Sequence, residues 1–148
     1  LQQDGFYSNG IQGGIAPVAT GLGLNHKLSG TGGVSVVYLG DGTLGQGAVY
    51  ESMNIASRWG IPVVFVCENN LFAQSTSQKE TLAGDICARA EAFGIRTAHS
   101  NTWQWPELFD AMEASISYAR AEGRPVFHRV DTFRLMAHSK GDDNRPES

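Results

Sequence analysis

Two short motifs carry most of the chemistry this chain could do. Gly40-Asp41-Gly42-Thr43 sets a carboxylate between two glycines. Cys67-Glu68-Asn69-Asn70-Leu71-Phe72 follows, with 26 residues separating Gly42 from Asn69. Each motif ends an apolar run that reads as a strand, so each is expected at a strand's carboxyl end, where open α/β sheets bind ligands. Glycines let backbone approach a ligand closely, and amides at a following helix start favour an anion such as phosphate. Asp41 would repel a phosphate unless a cation stood between them. The arrangement that reconciles them is carboxylate, divalent metal, phosphate. Asn70 offers a side-chain carbonyl and Phe72 a backbone carbonyl. With Asp41, two phosphate oxygens and a water, they make up the roughly six hard oxygens that magnesium takes at about 2.0–2.1 Å. Either motif alone is an ordinary turn; the pair at neighbouring strand ends is the specific signal.

The other reactive side chains are less well placed. His138 stands in a polar loop after a strand's carboxyl end and is the histidine expected to work near a substrate, with a reference pKa near neutrality. His26 and His99 read as surface or turn residues, and His128 as packed within a strand. Cys67 falls in a core strand and Cys87 in a helix, so both read as packing residues. Glu51, inside a helix, and Glu68, before the asparagines, are poor candidates for direct acid–base work. Trp103 and Trp105 read as core or interface residues, not as a stacking platform.

These groups need a frame. Val34 to Leu39 and Ile61 to Cys67 are rich in β-branched residues with little alternation, as in a parallel sheet covered on both faces. Pro125 to Val130 and Ile95 to Ala98 read as two further strands. Helices are expected from Ala16 to Lys27, with Gly21 and Gly23 allowing close packing, and from Gln46 to Trp59. Two more are expected from Asp85 to Phe93 and from Pro106 to Glu122. The Gln46 helix has Val49, Met53 and Ala56 on one face and Ala48, Ser52, Ile55 and Trp59 on another, which suggests burial against the sheet and against a partner subunit. Alternating strand and helix gives an α/β fold: a doubly wound, mostly parallel sheet with helices on both faces.

Composition bounds the rest. The 148 residues, 41% hydrophobic and 18% charged, suit a single domain over 1–148 with one core. Net charge is −4 and no basic stripe is present, which argues against nucleic acid. No apolar run nears the roughly 20 residues needed to span a membrane. Two cysteines make no disulfide framework and suit a reducing cytosol. Thirteen of 18 glycines fall in the first 47 residues, so that part needs tight turns or a close approach to something. The start at Leu1 and the polar run 140–147 read as a piece of a longer polypeptide.

The Gly-Asp-Gly, 26-residue, Asn-Asn pattern resembles the thiamine-diphosphate signature. More narrowly, the chain is similar to the alpha subunit of 2-oxo acid dehydrogenases acting on pyruvate, branched-chain oxo acids or acetoin. The likeness runs from Asn9-Gly10-Ile11 to His138-Ser139, through GDGTLGQG, Val49 to Ala56, Cys67-Glu-Asn-Asn and Thr132 to Ser139. It implies the thiamine-diphosphate-binding fold, thiamine diphosphate and Mg2+ as cofactors, and oxidative decarboxylation of a 2-oxo acid with acyl transfer to a lipoyl acceptor. It implies that Asp41 and Asn70 are metal ligands through side chains and Phe72 through its carbonyl. Gly42 and Thr43, with Gly40 in the same loop, would meet the diphosphate. The Gly10 carbonyl, 31 residues before Asp41, would accept from the cofactor's exocyclic amine, and the Gln12 amide would face the pyrimidine. His138 would work from a mobile loop flanked by Arg134 and Ser139.

The chain departs from that family at Gln12, where a small apolar residue is common, and at Gln74, where an apolar side chain often props the bent cofactor. Met136 stands where some members carry another histidine. The glutamate that activates the pyrimidine comes, by resemblance, from a separate pyrimidine-binding domain or beta subunit, so an oligomer is implied and this chain holds half an active site at best. A lipoyl domain is the implied acyl acceptor. The expected location is cytoplasmic, or the mitochondrial matrix if the full chain carries a transit peptide. A transketolase-type ketol transfer and a non-catalytic scaffolding subunit of the same fold are the alternatives.

Overall fold

A computed structural model describes residues 2–3, 5–139 and 141; the polar run 140–147 therefore lies, apart from Gly141, outside the described residues. In chain order the elements are β1 (Gln2–Gln3), β2 (Phe6–Tyr7), α1 (Gln12–Ser29), β3 (Ser35–Gly40), a 3-10 turn (Asp41–Gly45), α2 (Gly47–Trp59), β4 (Val63–Asn69), β5 (Phe72–Ala73), β6 (Thr76–Ser77), α3 (Gln78–Thr81), α4 (Ile86–Glu91), β7 (Arg96–Asn101), α5 (Trp105–Glu122) and β8 (Val126–Asp131). Four strands form a parallel sheet in the order β3-β4-β8-β7. β1 pairs with β2, and β5 with β6, as small antiparallel hairpins.

The sheet carries helices on both faces, as expected. Val37, Leu39, Phe65, Cys67 and Phe127 pack with Ala16 of α1, Val49 and Met53 of α2, and Ile86 and Ala90 of α4. On the opposite face Val64, Val66, Val126 and Val130 meet Ala119 and the partly buried Leu108, Met112 and Ile116 of α5. β4 is buried on both sides, hence its unbroken apolar run. β3 differs from the reading of Val34 to Leu39: it alternates, with Val37 and Leu39 buried but Val36 and Tyr38 exposed. The physical reason is position. β3 is the outer strand, and α5 packs over β4, β8 and β7.

α1 is longer than read, because the Asn9 side chain turns the chain by accepting from the Ile11 amide at 2.8 Å and the helix starts at Gln12. Gly23 does permit close packing: a Cβ there would lie 2.8 Å from Ile61 Cγ2 and 3.0 Å from the Pro62 carbonyl. Gly21 does not, since among the described residues nothing lies within 4 Å of where its Cβ would be. Trp103 and Trp105 are not core residues; both are exposed, Trp105 as the first residue of α5. Ile55 and Trp59 on the outer face of α2 are exposed as well.

His128 is fully buried, as read, and ties the layers together. Ser115 donates to the Ala111 carbonyl at 3.0 Å, so its oxygen must accept from His128 Nδ1–H at 2.9 Å. Ser100 then donates to Nε2 at 2.8 Å. Burial, and secondarily the nearby His99, pushes His128 below the ordinary histidine pKa. Among the described residues no helix is long and apolar enough to cross a membrane.

Candidate functional site

The register of the sheet decides where the two motifs meet. Gly40 pairs with Glu68, so β3 and β4 end level and the Asp41 turn and the Asn70 loop leave the sheet side by side. Above these carboxyl ends opens a cleft of about 680 Å³. Of the residues singled out from the sequence, Gly10, Gln12, Gly40, Asp41, Gly42, Thr43, Asn70, Phe72, Gln74, Arg134 and His138 all line it. Ser139 does not; it is exposed and outside the lining. Glu68 lines the cleft, whereas Glu51 is an exposed residue of α2 and does not.

Asp41 opens a 3-10 turn rather than the α-helix itself, which starts six residues later at Gly47. The donors next to the carboxylate are therefore those of the turn, not of a helix start. Gln12 shows where they aim: its Oε1 accepts from the Gly40 amide at 3.4 Å and from the Thr43 hydroxyl at 3.3 Å. Two donors thus converge on one oxygen at the mouth of the turn. Gly42 is fixed by packing, because a Cβ there would lie 2.5 Å from Ala73 Cβ and 2.9 Å from Ala73 Cα. The hairpin of β5 and β6 lies directly across it.

That hairpin is locally strained. Leu71 and Gln74 both hold left-handed backbone, at φ 68° and 57°, which costs non-glycine residues about 1–3 kcal/mol each. They bracket Phe72 and Ala73. The Asn70 side-chain oxygen accepts from the Phe72 amide at 3.0 Å, closing the turn and retaining a second lone pair. Arg134, in the loop after β8, donates to the Gln74 carbonyl at 2.7 Å and ties that loop to the hairpin.

Asp41 is the most unusual group of the cleft. It is 1% exposed. Burial pushes its carboxyl above the ordinary range, opposed by hydrogen bonding from Gln78 and by the Gly42, Asp41 and Leu71 backbone. Oδ2 accepts from Gln78 Nε2 at 2.7 Å, while Oδ1 is sealed from solvent and, among the described residues, meets no hydrogen bond of good geometry. A buried carboxylate oxygen in that state is costly unless a cation meets it. Among the described residues no group of three or more His, Cys, Asp or Glu is placed to hold a metal. A metal here would be held by one carboxylate together with amide and backbone oxygens. Such hard, oxygen-only donors suit magnesium.

The sequence gives Gln78 no role, and gives Asn69 none beyond its place in the doubled asparagine. Gln78 Nε2 also donates to Asn69 Oδ1 at 2.7 Å, and Asn69 Nδ2 donates to Asp131 Oδ1 at 2.7 Å. Burial alone would push Asp131 up, but hydrogen bonds from Arg129, Asn69 and His99 outweigh it and hold the carboxyl below its ordinary range. Asn69 had a signal, the doubled asparagine; Gln78 had none. Burial pushes both thiols up, Cys67 to about 12 and Cys87 in the same direction, which disfavours the reactive thiolate.

The family model described as "Dehydrogenase E1 component" matches residues 2–146. The chain belongs to that family. Curated relatives include the pyruvate dehydrogenase E1 component subunit alpha of Rickettsia bellii, 37% identical over 139 residues, covering 93% of this chain and 43% of that one. The protein of the same name from Zymomonas mobilis is 35% identical over 144 residues, covering 97% of this chain and 41% of its own length. The chain thus spans less than half the length of these E1 relatives. Among solved structures, a benzoylformate decarboxylase from Polynucleobacter necessarius aligns with TM-score 0.68 at 19% identity over 92% of this chain and 27% of that one. A transketolase from Pichia stipitis also reaches 0.68, at 18% identity over 84% of this chain and 20% of that one. At such identities these likenesses show the α/β fold alone.

Proposed function

We propose that this chain is the diphosphate-binding domain of a thiamine-diphosphate-dependent 2-oxo acid dehydrogenase, part of a longer alpha subunit. The observation that carries the reading is the buried Asp41, with one oxygen that no described residue hydrogen-bonds in good geometry, at a cleft that the Asn70 loop also lines. Asp41, Asn70 and the Phe72 carbonyl would hold Mg2+. The Gly40 to Thr43 turn would receive the diphosphate, whose oxygens would compete with Gln12 for the Gly40 amide and Thr43 hydroxyl. Gly10 and Gln12, at the start of α1, would meet the pyrimidine. Gln74 would lie against the bent cofactor, replacing an apolar prop with an amide. Thiamine diphosphate, when bound, supplies the nucleophilic carbon and electron sink for decarboxylation.

In the overall reaction a 2-oxo acid loses CO2, and a lipoyl disulfide takes the acyl group together with the two electrons. His138 would hydrogen-bond the reacting substrate or the diphosphate, with Arg134 setting its loop and Ser139 at the loop's far side. The activating glutamate would come from a beta subunit or fused pyrimidine-binding domain. A cytoplasmic heteromer fits the named bacterial relatives.

Calorimetric titration of the full-length alpha chain, with its partner, by thiamine diphosphate tests the proposal. Wild type should bind only with Mg2+ present, and Asp41→Ala should lose that binding. Wild-type affinity in Asp41→Ala, or no binding by the intact assembly, would refute it. Turnover of 2-oxo acids with an artificial electron acceptor, against ketol transfer between sugars, separates the dehydrogenase from the transketolase reading.

A further inference from the structure

We propose that Gln78 is a positioning residue that joins the two halves of the metal site, an inference that rests on Asp41 being a magnesium ligand. Its side-chain amide uses both hydrogens, one on Asp41 Oδ2 and one on Asn69 Oδ1, each at 2.7 Å. Its main-chain amide donates to the Leu71 carbonyl at 2.8 Å. Leu71 lies between Asn70 and Phe72, which supply the other two protein oxygens. One residue therefore grips the carboxylate through its side chain and the amide-oxygen loop through its backbone.

The grip is itself anchored. Gln78 opens α3, whose start is fixed by reciprocal hydrogen bonds between Ser77 and Glu80. Asn69 is held in turn by Asp131, which Arg129 clamps at 2.7 and 3.0 Å. The Asp41 carboxylate is thus tied through two amides to the carboxyl end of β8. Oδ2 is oriented by Gln78, and Oδ1, sealed from solvent, is the oxygen that would be offered to the ion. Groups that orient metal ligands in this way commonly contribute 10–100-fold to metal affinity.

Gln78→Met keeps the side chain's length and removes both donors; Gln78→Asn keeps the amide and withdraws it by one methylene. In the full-length protein with its partner, at saturating thiamine diphosphate, both should raise the magnesium concentration for half-maximal cofactor binding by about tenfold. kcat at saturating magnesium should stay near wild type, because the ligands themselves are unchanged. Magnesium half-saturation within twofold of wild type would overturn the inference, as would a loss of kcat that excess magnesium does not restore. If Gln78→Met fails to fold, Gln78→Asn decides on the same criteria. Asp41→Ala separates the two readings. If it loses magnesium-dependent binding while the Gln78 variants match wild type, only the positioning role falls; if it too binds like wild type, the metal site itself falls.

Discussion

A methyl group on Gly42 would meet both the side chain and the backbone of Ala73. Gly42→Ala should therefore displace the hairpin of β5 and β6, costing about 1–3 kcal/mol as overpacking does. It should also weaken magnesium-dependent cofactor binding; chemical denaturation and calorimetry on one preparation check the two effects together. His138 lines the same cleft from the opposite loop, and its replacement should act on turnover. His138→Ala should lower kcat by on the order of 10²-fold with a much smaller change in cofactor affinity. Steady-state kinetics against titration distinguish these, and an unchanged rate would remove His138 from the reaction. At this scale the carboxylate and the doubled asparagine could be read from the sequence, because each closes an apolar run and the two fall together at neighbouring strand ends. Gln78 could not. It lies 37 residues from Asp41, and a glutamine in a polar stretch looks like any solvated side chain until the hairpin folds it back.

The helices and strands were legible where burial writes a pattern. β4 is enclosed on both sides and shows as an unbroken run of Val, Phe and Cys. β3 looked the same in composition, yet half of it faces outward, because a strand's rank in the sheet is not encoded in its own residues. The two-residue strands of the hairpin after Asn70 are too short to carry any period. α1 shows the same limit at finer grain. Gly21 and Gly23 are two residues apart on one helix, but only Gly23 touches the entry to β4. Gly23→Ala should destabilise the fold by about 1–2 kcal/mol through overpacking. Gly21→Ala should stabilise it by about 0.5–1 kcal/mol through helix propensity. Urea denaturation of the pair checks the opposite signs.

Across the molecule, His128 links α5, β8 and β7 through the two serines. Its folded pKa lies below the ordinary value of 6.5, so the unfolded chain takes up a proton at a higher pH than the native one. The stability this contributes is complete above pH 6.5 and is lost as pH falls toward the folded pKa. His128→Gln should flatten that part of the stability curve; melting temperatures of both proteins across the acid side of neutrality measure it. Wild-type slope in the variant would assign the effect to another group.

The place of β8 has a consequence for how the chain is made. It is the last strand among the described residues, yet it sits between β4 and β7. During synthesis β3 and β4 can pair as they leave the ribosome, but β7 emerges with its neighbour β8 still untranslated. Until β8 is out, β7 shares no backbone ladder with β3 and β4. A nascent chain stalled before Val126 should leave β7 open to protease and to holding chaperones, and release of β8 should close that gap in the sheet in one step.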